Sequence, residues 1–281
     1  MRTLTDVLAP AKLNLFLHIT GQRPDGYHLL QSAFMLIDWC DTLHFERLDR
    51  SVIQREDLTT PLPPDDLITR AARSLQAASQ TSFGAHIAVE KSIPAQAGMG
   101  GGSSDAASTL LALNRLWGLN WPLSKLLPLG LALGADVPFF LHGHNAWVEG
   151  IGEQITPIEL PPSQFVVIKP DAGLETARIF RDPNLERRTE AATMSVFAVH
   201  PFDFGRNDLQ PVAQALCPEI DQALQWLGSF GLSPRMTGSG SAVFAQLPEG
   251  VLLPEPPSSW QMRVCSNMAI HPSAGWVVSD N

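Results

Sequence analysis

The sequence predicts an α+β fold, and three observations predict it. Segments that alternate with a period of two residues occur near both ends of the chain. Segments with the 3.6-residue helical period lie among them. The two kinds do not follow the regular strand–helix–strand rhythm that a doubly wound parallel sheet requires.

Residues 10–20, PAKLNLFLHIT, alternate Leu13, Leu15, Leu17 and Ile19 with Lys12, Asn14, Phe16 and His18. That spacing predicts a strand with Lys12 and Asn14 side by side on one face. Residues 21–28 hold Gly, Pro and an Asp-Gly pair and predict a turn. Further strands are predicted at 33–37 and 42–48. A helix is predicted from Asp65 or Asp66, either of which can cap it, with Leu67, Ala71, Leu75 and Ala78 as its apolar stripe. Residues 85–91 alternate again. A glycine-rich segment at 94–105 leads into a helix over about Ser104–Trp117, and another helix is predicted over Leu123–Leu133. Strands follow at 145–149, 154–158 and 165–169. The charged stretch 181–193 reads as a surface loop. A helix at 219–229 and strands at 242–247 and 261–265 complete the chain, with the proline-rich 248–259 as a loop. The expected division is into two lobes, 1–155 and 156–281.

The composition excludes several functions. The chain has 281 residues, 44% of them hydrophobic and 17% charged. It is long enough to bury about 75% of its unfolded surface without disulfides or metals. With 28 acidic and 19 basic residues the net charge is −9, which opposes nucleic acid and anionic membrane as partners. Cys40, Cys217 and Cys265 are odd in number and widely spaced, as expected of reduced thiols in the cytoplasm. The first ten residues lack the apolar stretch of a signal peptide. The longest apolar run, Leu126–Leu141, is broken by Asp136 and two prolines. A small molecule is the expected partner; oligomeric state has no signature here.

The strongest local signal is Pro94-Ala95-Gln96-Ala97-Gly98-Met99-Gly100-Gly101-Gly102-Ser103-Ser104, between a predicted strand and a predicted helix. Glycines let successive backbone N–H groups turn inward on an anion, and the helix adds the positive end of its dipole. Ser103 and Ser104 are placed either to cap the helix or to ligate Mg²⁺. The segment is not a GxxxxGK[ST] P-loop, a GxGxxG dinucleotide motif or a GxSxG nucleophile elbow.

This segment resembles the phosphate loop of the GHMP kinase superfamily. Two more motifs agree in order and wide spacing. Pro10-Ala-Lys12-Leu-Asn14-Leu15 resembles the N-terminal motif, and Arg235-Met-Thr-Gly238-Ser239-Gly240-Ser-Ala-Val-Phe244 the C-terminal glycine motif. The resemblance covers nearly the whole chain and is weakest over 181–234 and 248–281. It implies a two-lobed kinase with its active site in the cleft between lobes. ATP would be the co-substrate on the glycine segments, with Mg²⁺ expected from the chemistry. Read alone, Asp136 in Gly134-Ala-Asp-Val-Pro138 is a helix cap or a structural ion-pair partner. The resemblance makes Lys12 and Asp136 the catalytic pair. Asp136 would accept the proton of a substrate alcohol, and Lys12 would stabilise charge on the transferring phosphoryl group.

Gly21-Gln-Arg23-Pro-Asp25-Gly26-Tyr27-His28 resembles the segment that reads cytidine in the branch of the superfamily acting on a cytidine diphosphate-linked sugar alcohol. There Tyr27, the only tyrosine of the chain, would stack on the base, and His28 would hydrogen-bond its edge. Phe180, in Thr176-Ala-Arg-Ile-Phe180, sits where that branch supplies a second aromatic. Thr176 would touch the diphosphate, and Asn14 the substrate. Another GHMP kinase, for a mevalonate derivative, homoserine or a sugar, would not need the Tyr27 segment. A non-catalytic nucleotide-binding protein would not need Lys12 and Asp136. One departure stands out: related chains often carry Asn-Leu-Ile where this one has Asp66-Leu67-Ile68. An Asp can accept a hydrogen bond there but not donate one.

Overall fold

A computed structural model describes residues 2–277. Its scaffold is a ten-stranded sheet. Strand β1 (Thr3–Gln22) and strand β2 (His28–Leu48) form a long antiparallel hairpin across the 23–27 turn. The two strands expected at 33–37 and 42–48 are therefore parts of one, because the intervening residues stay extended and paired with β1. Strand β3 (Ile53–Asp57), not expected from the sequence, runs parallel to β4 (Gly84–Glu90). Its five residues, Ile-Gln-Arg-Glu-Asp, include one apolar side chain and carry little strand signal. Between them lies helix α1 (Leu67–Ser79).

The second of the two candidate caps is the one used. Asp66 accepts from the backbone N–H groups of Ile68 at 3.1 Å and Thr69 at 3.0 Å. The apolar stripe is turned from the expected one. Ile68, Ala71, Ala72 and Leu75 are buried, while Ala78 is exposed and Leu67 faces the cleft described below. Helix α2 (Gly101–Leu116) begins three residues before the expected start. Gly100, with φ 73°, supplies the left-handed turn at its N-cap, a conformation glycine adopts without steric cost. Helix α3 (Leu123–Leu133) has the expected limits, and the short α4 (Val137–His142) follows it.

Strands β5 (Ala146–Glu149), β6 (Gln154–Pro157) and β7 (Gln164–Lys169) come next. Helices α5 (Thr176–Phe180) and α6 (Met194–Phe197) flank the irregular 181–193 stretch. Helices α7 (Gln210–Leu216) and α8 (Pro218–Gly228) precede β8 (Arg235–Met236), β9 (Val243–Gln246) and β10 (Gln261–Met268). Strand β10 ties the sheet together: Gln261–Ser266 pair with β7, and Asn267 and Met268 with β2. No helix among the described residues is long and apolar enough to cross a membrane.

One correction bears on the site. Leu13, Leu15, Leu17 and Ile19 do not share a face of β1. The four residues Asn14–Leu17 of β1 lie opposite the three residues from Ser32 to Phe34 of β2, so a bulge swaps the faces. Leu13, Leu15 and Phe16 pack in one core with Met35, Trp147 and Phe244. Leu17 and Ile19 pack in another with Val166, Ile168 and helix α8. The swap leaves Lys12, Asn14 and Leu17 all lining one cleft.

Buried His271, 1% exposed, closes the space between α2 and the turn after α4. Its Nδ1 accepts from the Ser273 N–H at 3.0 Å, so Nε2 carries the proton and meets Ser108 Oγ at 3.3 Å. Burial pushes this imidazole from 6.5 down to about 4. The unfolded chain therefore takes up a proton near 6.5 that the folded chain refuses until about 4. Its stabilising effect is full above 6.5 and is lost as pH falls toward 4. Chemical unfolding at pH 7 and pH 4 should show wild type losing up to about 3 kcal/mol more than His271→Gln. Equal losses in the two proteins would remove His271 as the source.

Candidate active site

A cleft of about 1360 Å³ opens where the hairpin β1–β2, the glycine-rich 94–103 segment and the 238–240 turn meet. A pocket for one small ligand usually measures about 300–1,000 Å³, so this one has room for two. Its walls include all the residues expected at the site except Ser104. Ser104 is fully buried inside α2, and its Oγ has no partner among the described residues. The early start of the helix turns it away from the cleft and leaves Ser103 on the wall.

The phosphate-loop candidate is held by backbone pairing with the C-terminal glycine turn. Ser241 N–H donates to Gln96 O at 3.1 Å, and Ala242 N–H to Ala97 O at 3.2 Å. Contact is close enough to dictate glycine at two positions. A Cβ on Gly98 (φ 72°) would lie 2.3 Å from Thr237 O, and one on Gly238 2.6 Å from Gly98 O. Lys12 N–H donates to Met99 O at 2.9 Å, so the loop is also pinned to β1. Asn207, beside the loop, donates from Nδ2 to Met236 O and Gly238 O, both at 2.8 Å, and so braces the turn.

At the centre, the buried Lys12 ammonium lies 3.6 Å from Asp136 Oδ2 and 4.8 Å from the Phe34 ring centroid. It also donates to Asn14 Oδ1. Asn14 is fixed in turn: its N–H donates to Thr237 Oγ1 and its Nδ2 to Ser32 Oγ, both at 2.9 Å. Burial lowers the Lys12 pKa, and the Asp136 charge opposes that shift. Asp136 sits at the N-cap of α4, yet its side chain makes no cap bond. Its carboxylate is one-third exposed and stays open to the cleft.

At the other end lies an aromatic group. The His28 and Phe180 rings are 5.0 Å apart and tilted by 33°. Tyr27 stands 62% exposed on the rim, on a turn shaped by the Arg23 N–H to Tyr27 O bond at 2.8 Å. Thr176 Oγ1 and Ser239 Oγ are 2.7 Å apart, which links the start of α5 to the glycine turn.

Three features escaped the sequence reading. Lys91 at the end of β4 bridges buried Asp41 and Asp105, with Asp105 Oδ2 at 2.5 Å. Burial raises the Asp105 pKa while Lys91 pulls it back. Asp41 Oδ1 also accepts from the N–H groups of Ser92 at 2.6 Å and Ile93 at 2.8 Å, anchoring the entry to the glycine segment. The sequence carries one signal of it: Lys91, one of only four lysines in the chain, closes an alternating strand. The second feature explains the departure at 66. Arg55 pairs with Asp66 Oδ1 at 2.6 Å and with Asp57 at 2.7 Å, so the acid is neutralised. The third is Arg187, from the stretch read as a surface loop, whose Nε–H reaches His28 Nε2 at 3.1 Å.

Comparison with known proteins shows the family of the chain. A model of the GHMP kinases N terminal domain matches residues 66–144, and one of the GHMP kinases C terminal domain matches 199–249. A 4-diphosphocytidyl-2-C-methyl-D-erythritol kinase of Albidiferax ferrireducens is 65% identical over 280 residues, spanning 100% of this chain and 98% of the relative. The protein of the same name from Paracidovorax citrulli is 63% identical, with 100% of both chains covered. Among solved structures, a 4-(cytidine 5'-diphospho)-2C-methyl-D-erythritol kinase superposes with a TM-score of 0.80 at 33% identity, covering 93% of this chain and 98% of that one. A homoserine kinase from Cytophaga hutchinsonii shares the fold at TM-score 0.69 and 14% identity, over 97% of this chain and 96% of that one.

Proposed function

The chain belongs to the GHMP kinase family, as a phosphotransferase with an alcohol acceptor, and from that premise we propose that it transfers the γ-phosphoryl group of ATP to the 2-hydroxyl of 4-diphosphocytidyl-2-C-methyl-D-erythritol. This is a step of the non-mevalonate route to isoprenoid precursors. One observation carries the reading: a single cleft holds the Lys12–Asp136 pair at 3.6 Å and, at its other end, the Tyr27, His28 and Phe180 side chains. The first is suited to phosphoryl transfer and the second to gripping a flat base. Residues 1–155 and 156–281 then act as two lobes that share the cleft.

In this reading the N–H groups of 98–103 and 238–240 hold the ATP phosphates. Tyr27 and Phe180 sandwich the cytosine, Thr176 meets the substrate diphosphate, and Asn14 orients the acceptor end. Asp136 accepts the hydroxyl proton as the oxygen attacks phosphorus. Lys12, in a pocket that excludes water, stabilises the charge that spreads over the γ-phosphate oxygens.

Mg²⁺ needs only one or two protein oxygens, the rest of its shell being phosphate and water. The cleft fits that demand. The Ser103 hydroxyl lines the cleft wall beside the glycine segment. It would hold the ion, which when bound neutralises phosphate charge.

The test is ADP release with Mg-ATP and the cytidylated alcohol, run beside mevalonate and homoserine. Turnover is expected on the cytidylated substrate alone. Stacking on a base is worth about 1–3 kcal/mol, so Tyr27→Ala should raise KM for that substrate by roughly 10-fold or more and leave KM for ATP unchanged. ADP release with homoserine or mevalonate instead would overturn the substrate. Tight ATP binding without turnover on any alcohol would overturn catalysis.

A further inference from the structure

We propose that Arg187 is the positioning residue of the base pocket: its Nε–H holds neutral His28 in the tautomer protonated on Nδ1, so that the cleft offers the base an N–H donor. The inference rests on the cytidine-substrate reading for its ligand, but the tautomer itself stands on geometry.

An arginine side chain has donors only and does not deprotonate in proteins. Arg187 Nε lies 3.1 Å from His28 Nε2, so Nε2 must offer its lone pair. A neutral imidazole then carries its proton on the opposite nitrogen. The arginine cannot readily turn aside. Its Nη1 donates to Leu185 O at 3.0 Å, and its Nη2 to Phe180 O at 3.1 Å and Asp182 O at 2.8 Å. Leu185 is itself buried in the core with Ile179 and Leu209. The 181–193 stretch is thus a backbone cradle for one guanidinium, and through the Phe180 carbonyl that cradle also ties to the second aromatic.

The ring is fixed from the other side too, by Phe180 at 5.0 Å. His28 Nδ1 makes no hydrogen bond to the described residues, and the side chain lines the cleft. The charged groups around the ring favour the neutral form. Arg187 faces it directly, Arg181 beyond α5 and Asp25 on the turn line the same cleft, and no carboxylate pairs with it among the described residues. Burial and the Arg187 charge both lower the His28 pKa. On sequence alone His28 offers either a donor or an acceptor; Arg187 leaves the donor. The ligand atom it meets is therefore an acceptor, O2 or N3 of cytosine.

Two readouts test this on the full chain. In a long-range ¹H–¹⁵N correlation spectrum, assigned by comparison with His28→Asn, wild-type His28 should show protonated Nδ1 and bare Nε2. In Arg187→Met the Nε2-protonated form should appear. A wild-type ring protonated on Nε2 overturns the proposal whatever the substrate is. The kinetic readout is the split between KM and kcat. Arg187→Met should raise KM for the cytidylated alcohol by about 10-fold, with kcat and KM for ATP near wild type.

Loss of the cradle alone would produce the same rise, and the double variant separates the two causes. An Asn at 28 offers an amide N–H near the Nδ1 position and has no Nε2 for Arg187 to hold. Adding Arg187→Met to His28→Asn should therefore change KM little. A rise as large as in wild type would make Arg187 a loop brace and overturn the proposal. Should the wild type act on a different alcohol, the proposed function fails, and the spectrum still decides the tautomer.

Discussion

Asp136→Asn is expected to lower kcat by roughly 10²–10⁴-fold while KM for both substrates stays near wild type. The substitution keeps the shape and removes the ability to take a proton. Asp136 makes no side-chain cap bond at the start of α4 and is one-third exposed, so the cost to the fold is confined to the lost ion pair with buried Lys12. Lys12 keeps its bond to Asn14 Oδ1, so the ammonium stays in place. Single-turnover ADP formation isolates the chemical step from product release. A drop below about 10-fold would mean that the loose transition state of phosphoryl transfer needs no strong base here. Asp136 would then be an orienting group, and the kinase reading would survive without its base.

What was legible in the sequence was whatever depends on neighbours in the chain. The 94–105 glycines announce a phosphate cradle because the turn, the nest and the helix start are all local. The Asp66 cap is legible for the same reason, and so are the limits of α3. Residues 10–20 betray a strand by their alternation. The bulge at Asn14–Leu17 is not visible there, because it is a mismatch with β2 and has no local signature. The early start of α2 was hidden by glycines that read as loop. Strand β2 looked like two because Asp38 and Asp41 interrupt its apolar pattern. Asp41 is in fact buried, its charge met by Lys91 and two backbone N–H groups from 50 residues away.

The site divides along the same line. Lys12, Asn14 and the glycines lie in recognisable local motifs. Arg187 does not: its contact with His28 spans 159 positions, and its surroundings look like any charged loop. Asp66 is the intermediate case. The sequence exposes the unusual acid, but only the fold shows that Arg55 compensates it. Residues that hold other residues are the ones a single sequence hides, since their partners share no spacing with them.

Lys12→Met carries the other large expected effect, and it separates function from folding. Removing the ammonium should lower kcat by roughly 10²–10³-fold, the scale for losing one preorganised charge stabiliser. Stability should change by no more than about 1–2 kcal/mol in either direction. Burial outweighs Asp136 and lowers the Lys12 pKa below 10.5. The unfolded chain therefore holds that proton more tightly, and at neutral pH the charged lysine works against the fold; the deficit disappears only as pH rises toward 10.5. Methionine fills the same space beside Phe34 without that cost. Against the gain stands Asn14 Oδ1, which loses its donor in a buried setting. Asp136, one-third exposed, can rehydrate, unlike the stranded partner of a fully buried pair. The two terms are of similar size and opposite sign, whereas nothing compensates the loss of charge at the phosphoryl group. Urea unfolding beside single-turnover kinetics reads both. A variant that unfolds readily but still transfers phosphate would make Lys12 a scaffold residue; a stable, inactive one would show that the protein tolerates an unfavourable buried charge for the sake of the reaction.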